Sequence, residues 1–307
     1  MWGAFPDYVE EVRRTRENRK FLPGVPIAPD IELVCDLAAA LAQADVLVIA
    51  IPTQFLRNVL YKVSSHVRPE LLVVSVAKGL ERRTHFTPSQ IISSQMHSER
   101  LAVLSGPSHA EEVARRIPTC VVSASRRHEV AVEVQEIFMD VRFRVYTVED
   151  VLGVELGAAL KNVVAIAAGI CDGLKYGSNT KAALLSRGLL EMMRLGVRMG
   201  ANPNTFFGLS GLGDLVTTCI SEFGRNRHVG EELGRGKKLS EILASMEQVA
   251  EGIETTRSAA ELAEQHGVEM PIVQEVFKVL FEDKDAREAV DDLMLRDPKR
   301  ELEMKWK

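Results

Sequence analysis

The chain has 307 residues, of which 46% are hydrophobic and 26% are charged, so it is long enough to form two soluble, globular domains with a core in each. Its formal net charge of -5 argues against a nucleic-acid-binding surface, and it has no stretch of about 18 consecutive apolar residues that would span a membrane. The N-terminus lacks the basic and apolar pattern of a signal peptide, which predicts a cytoplasmic protein.

Residues 1–148 alternate short apolar segments with helical patterns. Asp7 with Glu10 resembles a capping box, and Asp36 directly precedes a second helical pattern. Apolar, β-branched segments predict strands at 46–51, 71–77, 101–105, 119–124 and 142–147. Because the apolar residues of these segments are continuous rather than alternating, they predict strands buried on both faces, as in a parallel sheet. The repeated order of strand and helix predicts an open α/β sheet.

From residue 149 onward the strand patterns stop. Segment 150–170 is a long apolar helical pattern rich in Gly and Ala, which can pack closely against its neighbours on more than one face. Further helical patterns lie at 179–199, 227–235, 240–246, 254–266, 272–282 and 285–294. These patterns predict an all-α second domain over residues 149–307, whose polar end, 296–307, is expected to fray.

The four cysteines show neither CxxC spacing nor a neighbouring His cluster. They are Cys35, Cys120, Cys171 and Cys219. We interpret them as buried or partly buried thiols in a reducing compartment, because free Cys often packs as a small hydrophobic residue. No metal site is predicted.

Small and polar residues follow three of the predicted strands. They are residues 52–54 (PTQ), 78–80 (KGL) and 106–111 (GPSHAE). An open parallel sheet binds its ligands at the carboxyl ends of the strands. The third segment also opens a helical pattern, whose N-terminus attracts anions. Each segment alone is more typical of a plain turn, but their occurrence at one edge favours a ligand site.

Three polar groups stand out in the helical half. Lys161 lies inside the apolar pattern 150–170, where an ammonium is costly unless it is paired or faces a cleft, and where burial would suit it to proton transfer. The alternative is a Lys whose stem packs while its ammonium reaches water. Asp214 is the lone charge of the glycine-rich segment 208–219, whose glycines would let the backbone approach a ligand. In 224–227 (GRNR), the Arg and Asn side chains suit a phosphate, although a solvated basic turn has the same pattern.

Several segments occur together in one order and spacing. They are RTRENRKFLPGV (14–25), AKGL (77–80), SGPSHAEEV (105–113), LKNVVAIAAGICDGL (160–174), NTKAALLSRGLLEM (179–192), GLGDLVTTC (211–219), GRNR (224–227) and VAEGIETT (249–256). Together they resemble the NAD(P)-dependent glycerol-3-phosphate dehydrogenase family of bacterial type, over nearly the whole chain. The resemblance implies a Rossmann-like, mostly parallel sheet domain over 1–148 and an all-α substrate domain over 149–307. It also implies reversible reduction of dihydroxyacetone phosphate to sn-glycerol 3-phosphate with NAD or NADP, supply of phospholipid synthesis, and a homodimer through the helical domain.

The resemblance also implies residue roles. Lys161 would be the general acid–base that gives a proton to the ketone oxygen as hydride arrives at carbon. The substrate site would comprise Lys78, Gly106, Ser108, Asp214, Gly224, Arg225 and Asn226. The cofactor would contact Lys78, Ala110, Arg225, Val249 and Glu251. Gly224 stands where the family usually has Ser, so one hydroxyl contact to the substrate is lost.

The family pattern begins with a strand, a GxGxxG turn and a helix, and this sequence shows no such segment. Trp2-Gly3 resembles the end of the family's second strand. We therefore expect the first strand and helix, roughly 30 residues, to be missing together with the pyrophosphate-binding turn. Either the start codon lies further upstream or the protein is truncated. A chain that truly began at Met1 is expected to bind the cofactor weakly and to be poorly soluble.

Two other functions stay open. The first is a related two-domain dehydrogenase of a 2-hydroxy acid or a sugar acid, against which the segments 211–215 (GLGDL) and 224–227 argue. The second is a non-catalytic remnant that binds or dimerises through its helical domain. A substrate panel would distinguish the first, and a nicotinamide titration the second.

Overall fold

The computed structural model describes residues 1–246, 249–298 and 300–301, and the first half of the chain is built on one five-stranded sheet. The strands are β1 (Val46–Ile49), β2 (Leu72–Ser75), β3 (Leu101–Ser105), β4 (Thr119–Ala124) and β5 (Phe143–Val148), and they lie side by side in that order. Neighbouring strands are parallel except for the antiparallel pair β3 and β4. The prediction of a mostly parallel α/β sheet is confirmed.

Helices cover both faces of this sheet. The helices of this half of the chain are α1 (Pro6–Thr15), α2 (Leu37–Leu41), α3 (Thr53–Val63), α4 (Pro88–Gln95), α5 (Ala110–Ala114) and α6 (His128–Phe138), of which α1 packs in a separate cluster and α5 has no buried residue. Successive residues of β2 point to opposite faces, so Val73 packs in the cluster with α3 and α4, while Val74 packs in the cluster with α6. The prediction of burial on both faces is wrong for β1 and β5, where Val48 and Tyr146 are each 46% exposed, because both are edge strands among the described residues.

The two predicted helix starts have different outcomes. The carboxylate of Asp36 accepts from the backbone N–H of Ala38 (2.8 Å) and so caps α2, as predicted. Asp7 does not cap α1, whose N-cap position is Phe5 and has no side-chain cap. Pro6 occupies the first helical position and shifts Asp7 into the first turn, where its charge still faces the positive end of the helix.

The N-terminal residues form a small unit with its own core. Trp2 makes an isolated parallel bridge to Val34, outside the five strands of the sheet. Two hydrogen bonds close this bridge, from Gly3 N to the Val34 carbonyl (3.1 Å) and from Val34 N to the Met1 carbonyl (2.9 Å). Beside the bridge, Val9, Val12 and Leu33 form a buried cluster.

The second half of the chain contains helices and no strand among its described residues. Its α-helices are α7 (Val151–Gly173), α8 (Ser178–Arg198), α9 (Asp214–Ile220), α10 (Arg225–Gly234), α11 (Leu239–Ser245), α12 (Glu251–His266), α13 (Pro271–Phe281) and α14 (Ala286–Met294). A 3-10 turn (Pro203–Phe207) and a π-helical turn (Leu209–Gly213) precede α9. The all-α prediction is confirmed, although α9 was not among the predicted helices. Of the tail that is expected to fray, residues 299 and 302–307 lie outside the described residues.

Helix α7 is the centre of the helical half. Its residues are buried from Gly153 to Cys171, and α8, α9, α10 and α12 pack around it. It is the one helix in the described part of the chain that is long and apolar enough to cross a membrane, but 83% of its most apolar window is buried inside the protein. A helix that is apolar on all sides and enclosed in this way is a core helix.

Glycines allow α7 and α10 to touch backbone to backbone. A Cβ placed on Gly169 would lie 1.9 Å from the carbonyl oxygen of Arg227, and one placed on Gly230 would lie 1.9 Å from that of Ile166. Real side-chain carbons do not approach so closely. The two helices can therefore pack in this way only while both positions lack a side chain.

Helix α7 also reaches into the sheet half. Its Glu155 is buried and accepts hydrogen bonds from the backbone N–H (2.7 Å) and the hydroxyl (2.5 Å) of Ser89, in the first turn of α4. Burial raises the pKa of Glu155, while the Ser89 donors oppose that rise. The carboxyl group thus depends on the other half of the chain for its hydrogen-bond donors.

The cysteines are mostly as predicted, with one exception. Cys171 and Cys219 are buried, and burial raises their pKa values to about 11 and about 12, so both thiols stay protonated at neutral pH. Cys120 is partly buried. Cys35 is exposed, contrary to the prediction, because it lies between the Trp2–Val34 bridge and α2 and not inside an element.

Glu191 of α8 provides a test of the helical core. It is buried, and its carboxylate accepts from the backbone N–H groups of Ile272 (2.8 Å) and Val273 (3.2 Å) in the first turn of α13. Burial outweighs these bonds and raises the pKa of Glu191 from 4.5 to about 7. Between these two values the folded state holds a proton that the unfolded state has lost. The contribution to stability is therefore present at low pH and is lost as the pH rises towards 7.

Glu191→Gln should remove this pH dependence. We expect the free energy of unfolding of the wild type to fall relative to that of the variant by about 2–3 kcal/mol from pH 5 to pH 8. Urea denaturation at several pH values would measure the difference. Glu264→Gln, at an exposed position, is the matched control, and its free energy of unfolding should change with pH as that of the wild type does. Parallel curves for Glu191→Gln as well would contradict the assignment.

Candidate active site

Lys78 and Asp214 connect the carboxyl edge of the sheet to the helical half. Lys78 follows β2, and its Nζ donates to the carbonyl oxygen of Gly106 (2.9 Å), just after β3. The same Nζ donates to Oδ2 of Asp214 (2.8 Å), at the start of α9. Two of the predicted strand ends and the predicted Asp therefore meet at one point.

Lys161 completes this cluster from α7. Its Nζ donates to Oδ1 of Asp214 (2.8 Å) and to the hydroxyl of Thr218 (2.6 Å). Lys161 is 5% exposed and Asp214 is 2% exposed. The alternative of a Lys whose ammonium reaches water is therefore wrong. The prediction that a Lys at this point of an apolar helix must be paired is confirmed.

The charges of this cluster set its protonation states. Burial, reinforced by the nearby charge of Lys78, lowers the pKa of Lys161 to about 8, although Asp214 opposes the change. Burial alone would raise the pKa of Asp214, but the ammonium groups of Lys161 and Lys78 outweigh burial and lower it. At neutral pH the cluster therefore holds two ammonium groups and one carboxylate. Its net positive charge suits an anionic ligand.

The glycine-rich segment 208–219 brings Asp214 to this position. A Cβ on Gly211 would lie 2.1 Å from the carbonyl oxygen of Phe206, and one on Gly157 of α7 would lie 2.7 Å from that of Ser210. Gly211 was predicted to let the backbone approach a ligand, but in the structure it lets the backbone pack against Phe206. This segment packs closely against α7. As a result, α9 begins with the carboxylate of Asp214 facing Lys161.

The loop after β3 forms another wall. Gly106 has a φ of +138°, and a Cβ on it would lie 3.0 Å from Cα of Val121, so the turn requires glycine. The hydroxyl of Ser108 donates to the Gly106 carbonyl (3.0 Å). The helix that follows begins only at Ala110, which is exposed, and α5 is five residues long. The predicted helix start at residues 106–108 is therefore displaced to residue 110.

The GRNR segment begins α10. Gly224 occupies the N-cap position, Arg225 is exposed, and Asn226 is buried. A guanidinium N–H of Arg225 donates to the carbonyl of Val249 (3.1 Å), which ties two of the predicted residues together. The side-chain oxygen of Asn226 accepts from the backbone N–H of Gly252 (2.9 Å). Since that oxygen is engaged, the amide nitrogen of Asn226 is the group left to donate to a ligand.

Glu251 brings α12 to the same edge. Its Oε1 accepts from the backbone N–H of Thr53 (3.1 Å), at the start of α3. Burial raises the pKa of Glu251, and the charges of Arg225, Lys161 and Lys78 oppose that rise. Glu251 therefore lies within electrostatic reach of the predicted Lys and Arg side chains.

The structure thus unites most of the predicted site residues, in two groups. Lys78, Gly106, Ser108, Lys161 and Asp214 form one hydrogen-bonded cluster. Gly224, Arg225, Asn226, Val249 and Glu251 form a second group, where α10 and α12 begin. Ala110, the first residue of α5, belongs to neither group.

Sequence reasoning missed Thr218 at this site and gave no individual role to Thr53 and His109, although both lie in predicted ligand segments. Thr218 binds Lys161 directly, and its spacing of four residues from Asp214 on one helix is a signal that would have identified it. The hydroxyl of Thr53 and Nε2 of His109 are buried without a hydrogen-bond partner among the described residues. Both residues follow predicted strand ends, but sequence gives no indication that their polar atoms are buried.

Two family models match this chain. The model described as NAD-dependent glycerol-3-phosphate dehydrogenase N-terminus matches residues 1–131, and the one described as its C-terminus matches residues 150–291. Together they cover both halves of the described structure.

Individual relatives match over nearly their whole length. Glycerol-3-phosphate dehydrogenase [NAD(P)+] from Geobacter metallireducens is 50% identical over 304 residues, which are 98% of this chain and 91% of the relative. The protein of that name from Enterococcus faecalis is 45% identical over 306 residues, 99% of this chain and 90% of the relative. The crystal structure of glycerol-3-phosphate dehydrogenase from Coxiella burnetii is 37% identical, with a TM-score of 0.92 over 96% of this chain and 90% of that one. A D-mandelate dehydrogenase is 9% identical with a TM-score of 0.58, which shows a shared fold alone.

Proposed function

The chain belongs to the NAD-dependent glycerol-3-phosphate dehydrogenase family, and on this premise we propose that it interconverts dihydroxyacetone phosphate and sn-glycerol 3-phosphate with NAD(P)H. The observation that carries the proposal is the buried cluster at the carboxyl edge of the sheet, where Lys161 and Lys78 share the carboxylate of Asp214. A ketone needs a proton donor at its oxygen when hydride reaches its carbon, and a phosphate needs cations.

Lys161 is the proposed proton donor. Burial holds its pKa at about 8, which is close enough to neutral pH for transfer in both directions. In the reductive direction its ammonium gives a proton to the ketone oxygen and is left as a neutral amine, which recovers a proton from water. In the oxidative direction the amine takes the hydroxyl proton. Asp214 keeps the nitrogen in place and, with Thr218, limits its rotation.

The residues at the sheet edge fit a nicotinamide. Gly79 has a φ of +150°, and a Cβ on it would lie 2.8 Å from the hydroxyl of Thr53 and 3.5 Å from a carboxylate oxygen of Glu251. Because Gly79 lacks a side chain, Thr53 and Glu251 can pack directly against the loop after β2, and the unpartnered hydroxyl of Thr53 offers a bound nicotinamide a hydrogen bond. A bound nicotinamide nucleotide supplies or accepts the hydride. The proposed contacts of the nucleotide are Lys78, Ala110, Arg225, Val249 and Glu251, for either NAD or NADP.

The proposed phosphate site lies at the start of α10. The guanidinium of Arg225 is exposed, and the amide nitrogen of Asn226 is free to donate, so the two can bind one phosphate together. A Cβ on Gly224 would lie 3.0 Å from the carbonyl of Thr218, which leaves little space for the Ser that is usual in the family. Gly106, Ser108 and Lys78 would line the rest of the substrate site.

The broader setting follows from this reaction. We propose that the chain divides into a nucleotide-binding domain over residues 1–148 and a substrate domain over 149–307, with the site between them. We also propose that the enzyme is cytoplasmic, forms a homodimer through its helical half, and supplies glycerol 3-phosphate to phospholipid synthesis.

Steady-state kinetics on a substrate panel tests the function. We expect reduction of dihydroxyacetone phosphate with kcat/KM at least about 10²-fold above that for unphosphorylated dihydroxyacetone, because the bound phosphate contributes binding energy to the transition state. Preference for a 2-keto acid or a sugar acid would instead favour the alternative dehydrogenase. Failure of the folded protein to bind any nicotinamide nucleotide would favour the non-catalytic alternative.

A further inference from the structure

His109 has a buried ring nitrogen that the proposed mechanism does not use. It lies between Ser108 and Ala110 in the loop after β3. Its Nε2 is buried and has no hydrogen-bond partner among the described residues. Its ring lies 6.2 Å, between centroids, from that of Phe223, which belongs to the loop before α10. Since nearly all buried polar side-chain atoms are satisfied in folded proteins, a buried unsatisfied nitrogen beside an active site indicates a ligand contact.

The charges around His109 come from four directions. Lys161 faces it from α7, Asp214 from the start of α9, Glu111 from its own helix α5, and Lys78 from the loop after β2. Burial lowers the pKa of the imidazole, and Lys161 and Lys78 lower it further, against the opposing effects of the two carboxylates. The ring is therefore neutral at pH 7.

A neutral imidazole differs from the charged groups of this site. The lysines suit charged or developing anionic oxygens, whereas Nε2 of a neutral ring forms one uncharged hydrogen bond, as donor or acceptor according to the tautomer. Dihydroxyacetone phosphate has three polar parts. Its phosphate is matched by Arg225 and Asn226, and its ketone oxygen by Lys161. The C1 hydroxyl is left, and it can both donate and accept.

We propose that Nε2 of His109 binds the C1 hydroxyl of the substrate, which does not react, and that His109 is a substrate-positioning residue. This inference rests on the proposed function. Together with the phosphate contact at the other end of the molecule, the bond fixes both carbons that flank the ketone. The ketone carbon is thereby held in one orientation for the incoming hydride.

Such a contact gives the enzyme selectivity for the hydroxyl. A site built to hydrogen-bond a substrate hydroxyl rejects the analogue that lacks it, because the buried polar partner is then left unsatisfied. The matching analogue here is acetol phosphate, which has a methyl group where dihydroxyacetone phosphate has its C1 hydroxymethyl group. The two substrates share the ketone and the phosphate.

The test combines variants of His109 with these two substrates. We expect His109→Phe to lower kcat/KM about 10-fold for dihydroxyacetone phosphate but less than about 2-fold for acetol phosphate, since only the first can lose the hydrogen bond. His109→Gln, which carries an amide near the position of Nε2, should regain most of the discrimination. The KM of the nucleotide should stay unchanged in both variants. His97→Phe, at an exposed position outside the site, is the matched control.

Equal losses on the two substrates would overturn the inference, and so would a raised nucleotide KM with unchanged discrimination. If His109→Phe fails to fold, the comparison of His109→Gln with His109→Leu gives the same test. Failure of the proposed function is a separate outcome, because it would be seen in a wild-type enzyme that does not reduce dihydroxyacetone phosphate at all.

Discussion

Replacing Lys161 by methionine is expected to lower turnover about 10²–10⁴-fold, because it removes the proton donor at the ketone oxygen. Methionine fills a similar volume in the buried helix α7, so packing is largely kept. Lys161→Arg should be nearly as inactive, although it keeps a positive charge beside Asp214, because a guanidinium does not release its proton near neutral pH. Single-turnover measurements of nucleotide oxidation would give the chemical step directly.

The pH dependence of the rate provides a second test of Lys161. The ammonium form of Lys161 is required for ketone reduction, so the rate should fall as the pH rises through its pKa of about 8. The oxidative reaction should rise over the same range. The residual rate of Lys161→Met should not show this change near pH 8. Lys62→Met, at an exposed position on α3, is the control and should keep both the rate and the profile. A near-normal rate for Lys161→Met would remove this residue from the mechanism.

Replacing Gly230 by alanine is expected to destabilise the fold by about 3 kcal/mol or more, through overpacking against backbone. The new Cβ would lie 1.9 Å from the carbonyl oxygen of Ile166 and 2.9 Å from the backbone nitrogen of Ile170, so α7 and α10 must separate. Alanine favours a helix over glycine by about 1 kcal/mol, which is smaller and acts in the opposite direction. Denaturant unfolding of the two proteins would measure the difference.

Gly177→Ala is the matched control for this change. Gly177 has a φ of -83°, and a Cβ there would meet nothing within 4 Å. We expect its free energy of unfolding to fall by about 1 kcal/mol at most, because Gly177 is the N-cap of α8, where alanine is less favourable than glycine. A Gly230→Ala protein as stable as the wild type would show that the two helices are not in backbone contact.

The sequence predicts the elements of this fold better than it predicts their contacts. The predicted segments coincide with all five strands, and burial between two layers of helices explains the apolar residues of the inner strands β2, β3 and β4. Helix α9 is not predicted, because glycines before it are typical of a loop and only packing against α7 keeps the segment helical. Tertiary contact overrides local propensity there.

At the site, too, individual residues are easier to predict than the contacts between them. Lys161 is predicted from one local conflict, a charge inside an apolar helix. Its ion pair with Asp214 joins positions 53 residues apart, and that of Lys78 joins positions 136 residues apart. No spacing rule connects such positions. The buried nitrogen of His109 is likewise a result of how two halves of the chain meet, and local sequence does not encode it.

The carboxylates of the helical half have a consequence for how this protein unfolds. Glu155 and Asp214 are buried and Glu251 is half-buried, and each accepts a hydrogen bond from a residue of the sheet half. If either half melted alone, these groups would lose their donors while still partly shielded from water, which is unfavourable. We therefore expect melting to be cooperative, with a single calorimetric transition, and neither half to persist as a stable fragment when expressed alone.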